Sequence, residues 1–441
     1  MRTEGAWDVV IAGGGPSGTT AATKLRMLGH SVLLLEKTPH PRFRVGESLL
    51  PFTMDLLREL EFLPTLEQAG FVRKWGASFM LGDGSLSSTV YFSDGLIAGR
   101  PGSYQVTRSR FDQLLLDHCR TFGAEVREGH TVTDVQFDSD GATVTVRGPA
   151  GTAYELDARL FADATGRDTL LANRTKEKRM DPLLKKVAFF GYFEGARRDT
   201  GRDSGNTLSV VIRGGWIWFI PLEDDVTSVG VVIDAEDAKI ARTGSAEALF
   251  RDVLARVPVM AERLAHARRV SPVRVTSDFS YSSRKLYGNR YLILGDAGFF
   301  LDPVFSSGVH LAILGGLRGA EAMHERLTST SLTDPFRRYQ TEMRRRQAIY
   351  VKFIYAWYRP GFLELFLSPT TKFKMLEAIT TLLAGEPANW RVRMRMHLLF
   401  LLIQLNRVLP LAAPINRAEL PGVVAQIPSQ PRVDEPPGQR G

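Results

Sequence analysis

Apolar positions come first as a short continuous run, Trp7–Ala12, that stops at Gly13-Gly14-Gly15-Pro16-Ser17-Gly18. A helix is predicted from about Pro16 to Leu28, with Gly29 as its left-handed stop, and a second apolar run, Ser31–Leu35, follows. The pattern is a strand–helix–strand unit. After a loop over His40–Ser48, a helix passes through Met54–Leu60, and glycine-broken strand patterns fill Trp75–Gln105. A helix at Arg110–Phe122 precedes alternating strands in Ala124–Leu160. Between Arg167 and Val270 lie strand runs at Val187–Phe193, Thr207–Ile212, Trp216–Pro221 and Ser228–Val232, with a helix near Ala246–Val257. Tyr291–Leu294 reads as a buried strand, a helix covers Val309–Leu327, and the rest is helical to about Leu409.

The 441 residues are 44% hydrophobic and 24% charged, which excludes a disordered or fibrous chain. Lys plus Arg exceed Asp plus Glu by 56 to 48, a net charge of +8. So mild an excess suits acidic ligands such as dinucleotides, or an acidic partner protein, rather than nucleic acid. Cys119 is the single cysteine, so no intrachain disulfide forms and a reducing compartment is expected. Leu398–Ile403 is too short to cross a bilayer and the N-terminus lacks an export pattern, so a cytoplasmic protein with no transmembrane segment is expected. Eight scattered histidines without ligand spacing predict no metal.

Gly13, Gly15 and Gly18 match G-x-G-x-x-G between a strand and a helix. Such glycines let the backbone approach a pyrophosphate, which the helix N-terminus then stabilises. Ser17 lies in the same turn, and Glu36, with Lys37 beside it, ends the second strand 18 residues after Gly18, where an acid accepts ribose hydroxyls. Together these elements predict dinucleotide binding.

Far downstream, Gly295-Asp296-Ala297 follows a strand and precedes the helix that starts near Gly308 and Val309. This element and Asp163-Ala164-Thr165-Gly166-Arg167 resemble the second and third signatures of the FAD monooxygenase superfamily. The resemblance implies FAD as cofactor, with Asp296 at its ribityl chain and Val309 at the helix start facing the ring. It also brings Arg108, Arg44, Glu47 and Ser48 to the flavin, and Val132 to the adenine. The fold it implies is mixed α/β (α+β), with a Rossmann-like FAD-binding domain from 1–75, 105–170 and 285–330. A β-rich substrate domain (76–104 and 171–284) is interleaved with it, and a helical region (331–420) and a flexible tail (421–441) follow.

Trp216-Ile217-Trp218-Phe219-Ile220-Pro221 matches W-x-W-x-I-P, and Lys74-Trp75-Gly76-Ala77-Ser78-Phe79 fits K-x-G-x-x-F. With GESLLP (46–51) and DPVFSSGVHLA (302–312), these resemble the flavin-dependent halogenases, in the branch that acts on phenols or pyrroles, often on a carrier protein. The resemblance implies that reduced FAD, oxygen and chloride generate hypohalous acid behind a wall built by Trp216, Trp218 and Pro221. The amides of Ser307 and Gly308 would hold the halide, and Lys74 would hold the electrophilic halogen beside the ring. A separate flavin reductase is implied as partner, with an aromatic substrate that is free or tethered to an acyl or peptidyl carrier protein. Tryptophan-specific members carry a glutamate where this chain has Phe305, which points to an electron-rich ring.

Each feature has a plainer reading. A lone lysine is usually solvated, two alternating tryptophans usually pack a core, and His310 is expected to pack within its helix. An aromatic hydroxylase or an isoprenoid reductase of the same superfamily is the alternative activity. A non-catalytic flavoprotein-like scaffold, docking a carrier or a membrane through Arg344–Arg346 and Arg391, Arg393 and Arg395, is the alternative class.

Overall fold

A computed structural model describes residues 4–423 apart from 96–101, 241–244, 278–279, 330–332, 368–376, 378, 382–383, 386–389, 407 and 410. The chain forms a mixed α/β fold around two large sheets. In the first, Glu125–Glu128, Val32–Glu36, Glu4–Ala12 and Ala153–Asp163 lie side by side and parallel. Tyr291–Ile293 extends this parallel array, and Ala142–Arg147 and Thr131–Phe137 continue the sheet antiparallel. Every residue of Val32–Glu36 is buried, as a parallel strand covered on both faces requires. The loops at Gly13–Gly15, Glu36–Lys37, Ala164–Gly166 and Gly295–Ala297 all leave the carboxyl ends of adjacent strands, where open parallel sheets bind ligands.

The second sheet has eight strands. Lys186–Glu194, Val226–Asp234, Gly215–Pro221, Thr207–Ile212, Gly76–Leu81 and Ser87–Tyr91 form its body, with Arg268–Arg269 and Arg274–Ser277 on its edge. Alternation along each strand gives it two apolar faces. Ile217 and Phe219 pack with Phe250, Val253 and Met260 of the helices Ala246–Arg256 and Pro258–Leu264. Trp216 and Trp218 pack on the opposite side, in a core shared with Phe79, Phe92, Phe353, Trp357 and Phe362. A two-stranded ribbon, Val72–Lys74 against Ser103–Gln105, stands apart from both sheets.

The C-terminal region departs from expectation. Helices Pro335–Tyr358, Phe362–Phe366 and Trp390–Asn406 meet the expected helical character to within three residues of Leu409, and the departure lies beyond them. Gly361 breaks the first pair at φ 99°, a conformation other residues rarely adopt, and its N–H donates to Glu364 Oε2 at 2.8 Å. Leu411–Val423 returns without helix: Arg417 donates to the carbonyls of Trp357 (3.2 Å) and Arg359 (2.9 Å), closing the end of Pro335–Tyr358. Pro421 was expected to begin a flexible tail. Instead its carbonyl accepts from Arg213 N at 3.0 Å, Gly422 bridges to Arg213, and Leu420 and Val423 are buried. The packed chain therefore extends to Val423, because two apolar side chains find cover, while 424–441 lie outside the described residues. The helix expected from Val309 begins at Ser307.

Candidate active site

The carboxyl edge of the parallel sheet is built from backbone. Gly13 adopts φ 112°, and a Cβ there would meet the Ala164 carbonyl oxygen at 2.2 Å. A Cβ on Gly18 would meet the Gly13 oxygen at 1.9 Å, so turn and helix interlock only as glycine. Gly15 caps the helix Pro16–Met27 without a side-chain bond, and no acid occupies its first turn, so its leading amides are left for an anion. Ser17 is buried against Gly295, and a Cβ on Gly316 would meet the Ser17 carbonyl oxygen at 2.4 Å, so the helix Ser307–Thr328 packs here only with glycine. Asp163 holds the neighbouring loop, accepting from Thr165 N (3.0 Å), Thr165 Oγ1 (2.6 Å) and Leu171 N (2.7 Å).

Glu36 is buried, with Oε2 accepting from Gly14 N at 2.7 Å and Oε1 from Thr38 N at 2.9 Å. His130 N donates to the Glu36 carbonyl at 3.0 Å, which brings the half-buried Val132 to this rim. Lys37 is exposed and ion-paired with Asp168, and Arg44 is exposed beside the Phe43 carbonyl. Sequence reasoning missed Arg42. Its buried guanidinium bridges Glu36 (3.3 Å) and Asp112 (3.7 Å), its Nη2 lies 3.6 Å from where a Cβ on Gly15 would stand, and its Nε has no partner. An uncapped helix start, a glycine turn and a buried cation with a spare donor fit a pyrophosphate.

The loop 46–48 joins this end to the second sheet. Gly46, at φ 107°, sits where a Cβ would be 2.9 Å from Arg108 Nη1 and 3.4 Å from Val309 Cγ2. Arg108 makes a two-pronged pair with Asp112 (2.8 and 2.9 Å) and donates to the Val45 carbonyl at 2.5 Å. Asp296 lies in the facing turn, and desolvation pushes its carboxyl up to about 7 against the pull of Arg108 and Arg167. Glu47 is 2% exposed and accepts from Tyr192 Oη at 2.6 Å and from Ser228. Burial raises its carboxyl to about 7.

Lys74 contradicts the plain surface reading. It is 2% exposed, donates to Ser48 Oγ at 2.7 Å and the Leu49 carbonyl at 3.4 Å, and stands 5.1 Å over the Phe92 ring. Desolvation alone lowers its amine to about 7, so much of it is neutral near physiological pH. The Lys74–Ser48 pair continues to Thr207 Oγ1, 3.0 Å from Ser48 Oγ.

Trp216 and Trp218 share one face, with ring centroids 5.9 Å apart. Gly230 lies directly across from Trp218, and a Cβ there would fall 2.1 Å from the indole, so the ring lies flat on the neighbouring strand. Trp218 Nε1 donates to Ser228 Oγ at 3.1 Å, and Trp216 Nε1 to Tyr358 Oη at 2.9 Å. Pro221 is buried and closes the strand opposite Thr227. Ser228, Gly230, Tyr192 and Tyr358 carry no local motif; only pairing register and helix packing bring them here.

Ser306, at φ 54°, turns the chain into the helix Ser307–Thr328, whose first turn has neither a side-chain cap nor an acid. Ser307 is buried, and the Cβ direction of Gly308 meets nothing within 4 Å. Phe305 is packed edge-on against Phe353 and Trp357. His310 is a packing residue, as expected: it is 1% exposed, 3.2 Å from Thr53 Oγ1, and burial drops its imidazole to about 3. Among the described residues, no three His, Cys, Asp or Glu side chains are placed to hold a metal ion. Nor is any described helix long and apolar enough to cross a membrane.

Glycine-rich and acidic motif loops gathered at the carboxyl edge of a parallel sheet are the arrangement of a dinucleotide-binding oxidoreductase. The chain belongs to the flavin-dependent halogenases: the tryptophan halogenase family model matches residues 8–94 and 93–360. It is 34% identical over 341 residues to a flavin-dependent halogenase of Armillaria mellea (armH3), covering 72% of this chain and 67% of that one. It is 30% identical over 329 residues to a 1H-pyrrole-2-carbonyl-[peptidyl-carrier protein] chlorinase of Pseudomonas fluorescens, covering 70% and 73%. The solved myxobacterial chondrochloren halogenase CndH superimposes with a TM-score of 0.77 at 32% identity, over 90% of this chain and 97% of that one. A flavoprotein/dehydrogenase of Cytophaga hutchinsonii superimposes with a TM-score of 0.84 at 29% identity, over 91% and 99%. Members of this family are enzymes that use FAD, oxygen and a halide.

Proposed function

We propose that this enzyme chlorinates an electron-rich phenolic or pyrrolic ring, with FADH2 delivered by a separate flavin reductase and the substrate carried on an acyl or peptidyl carrier protein. The observation that carries the reading is the buried Lys74 amine, held by a hydroxyl with no carboxylate among its described partners. The reduced cofactor and oxygen supply the oxidising equivalent, and the protein directs it. Gly13, Gly15, Ser17, Gly18 and Arg42 receive the pyrophosphate; Glu36, with Val132 at its rim, meets the adenosine half. Arg108, Glu47, Ser48, Asp296 and Val309 border the ring system, while Lys37 and Arg44 stand at the exposed margin.

The uncapped amides of Ser307 and Gly308 offer chloride a site free of competing carboxylates. Trp216, Trp218 and Pro221 separate that site from the organic substrate. Lys74, its amine lowered by burial to about 7, presents a lone pair in its neutral fraction that holds hypohalous acid by hydrogen bonding or as a haloamine. With Phe305 where a glutamate would assist an unactivated indole carbon, the ring must itself be activated. The P. fluorescens relative is named for a pyrrole on a carrier protein, which supports both the ring class and the tether.

Incubation with FAD, a flavin reductase, NADH and chloride, over a panel of phenols and pyrroles free and on a carrier protein, tests this by mass spectrometry. A monochlorinated product lost in Lys74→Ala is expected. Bound flavin with no halide in any product, or Lys74→Ala as active as the wild type, overturns it.

A further inference from the structure

The two indoles of the wall are held by parallel chains of hydrogen bonds, each passing through one hydroxyl to a buried carboxylate. Trp218 reaches Glu47 of the cofactor loop through Ser228. Trp216 reaches Asp302 through Tyr358: its Nε1 donates to Tyr358 Oη at 2.9 Å, and Tyr358 Oη donates to Asp302 Oδ2 at 2.8 Å. A phenol has one proton to give, so accepting from the indole and donating to the carboxylate leaves its rotor no freedom. The ring is fixed as well: Lys186 Nζ, paired with Asp234 at 2.8 Å, lies 4.0 Å over it. Asp302 is fully buried, and its other oxygen accepts from Val304 N at 3.1 Å, capping the turn Pro303–Phe305. That turn leads through Ser306 into the amides of Ser307 and Gly308.

We infer that Tyr358, the last residue of the helix Pro335–Tyr358, is a positioning residue for the halide site. Its hydroxyl ties the turn that carries Ser307 and Gly308 to Trp216, so the C-terminal helix sets where those amides stand relative to the wall. Tyr358→Phe keeps the ring under Lys186 and removes only the hydroxyl, leaving the Trp216 N–H and Asp302 Oδ2 without their partner. A buried capping carboxylate in that position turns to another donor and takes the turn with it. The inference rests on the halogenation reading.

The test is steady-state halogenation by the flavin-loaded full chain, with chloride and organic substrate varied separately. Tyr358→Phe should raise the chloride KM about three- to tenfold, the range of one lost hydrogen bond, with kcat and the organic-substrate KM within about twofold. Tyr355→Phe, one turn earlier and bonded to Asp181 at 2.6 Å, should leave the chloride KM unchanged. If Tyr358→Phe does not accumulate folded, Trp216→Phe, which removes the N–H that orients the hydroxyl, should shift the chloride KM in the same direction by a smaller factor. An unchanged chloride KM, or equal losses in Tyr358→Phe and Tyr355→Phe, overturns the inference and leaves halogenation standing. Wild-type protein that incorporates no halide overturns the reading beneath it.

Discussion

The glycine-turn end, proposed above to hold the cofactor, and the amine end of the site are made differently. At the first, glycines let backbone meet backbone, and a Cβ on Gly18 would lie 1.9 Å from the Gly13 oxygen. At the second, side chains from distant segments meet: buried Lys74 from a ribbon, Trp218 from a sheet and Ser48 from a loop, with half-buried Tyr358 from a helix end. A backbone cradle fails all at once, because nothing in it can rotate away. A side-chain assembly fails by degrees, one partner at a time.

The largest effect should therefore come from Gly18→Ala. Two backbone segments must part to admit the methyl, at about 3 kcal/mol or more in stability, and flavin should be lost on gel filtration. A variant that retains stoichiometric FAD would break the contrast at its rigid end. Lys74→Met comes next: halide incorporation should fall about 10²- to 10⁴-fold, the span of a removed nucleophile or proton-transfer group, while flavin binding is kept. Product quantified by mass spectrometry beside a flavin titration separates the two. Trp218→Phe loses the Ser228 bond and leaves space above Gly230, so the yield of halogenated product per reduced flavin should fall several-fold, as net hydrogen bonds of about 0.5–1.5 kcal/mol imply. Hydrogen peroxide released per NADH is the complementary readout.

Two buried ionisable groups, Lys74 of the ribbon and Glu47 of the loop 46–48, should give opposite pH slopes. An unfolded lysine titrates near ~10.4, while the folded Lys74 amine is lowered to about 7. Between those values the unfolded chain alone binds the proton, so this group makes stability rise with pH. The denaturation midpoint of Lys74→Met should then exceed that of the wild type most below about pH 7, with the gap closing toward ~10.4. Glu47 runs the other way. Its folded carboxyl is raised from 4.5 to about 7, so the folded chain alone holds the proton across that window and stability falls as pH rises through it. Glu47→Gln should gain on the wild type over the same interval; parallel pH profiles would show that burial does not govern these groups. The smallest effect belongs to Lys37→Ala at the exposed margin, within about 0.5 kcal/mol in thermal unfolding, because an exposed ion pair is screened.

The difference between the two ends also explains what could be read in advance. G-x-G-x-x-G, Glu36 and Gly295–Ala297 are legible because their geometry is local: glycine's allowed angles and a strand followed by a helix are properties of adjacent residues. The alternation of Trp216 and Trp218 likewise places both on one face. Their partners are not legible, since Tyr358 lies 142 residues from Trp216 and 56 from Asp302. Arg42 escaped notice because arginines in loops are ordinarily solvated, and nothing local shows that Asp112 and Glu36 will converge on it. The return of Pro421–Val423 to Arg213 was hidden by a proline-rich composition typical of free chain.

Chain-local rules, then, carry the order of elements, the glycine turns and the side of a strand each indole occupies, because they depend on neighbouring dihedral angles and period-two alternation. The lowered amine of Lys74, the raised carboxyls of Glu47 and Asp296 and the bracing of Trp216 through Tyr358 depend on desolvation and on contacts across more than a hundred residues. Those quantities exist only once two sheets and the C-terminal helices have closed and expelled water from the space between them.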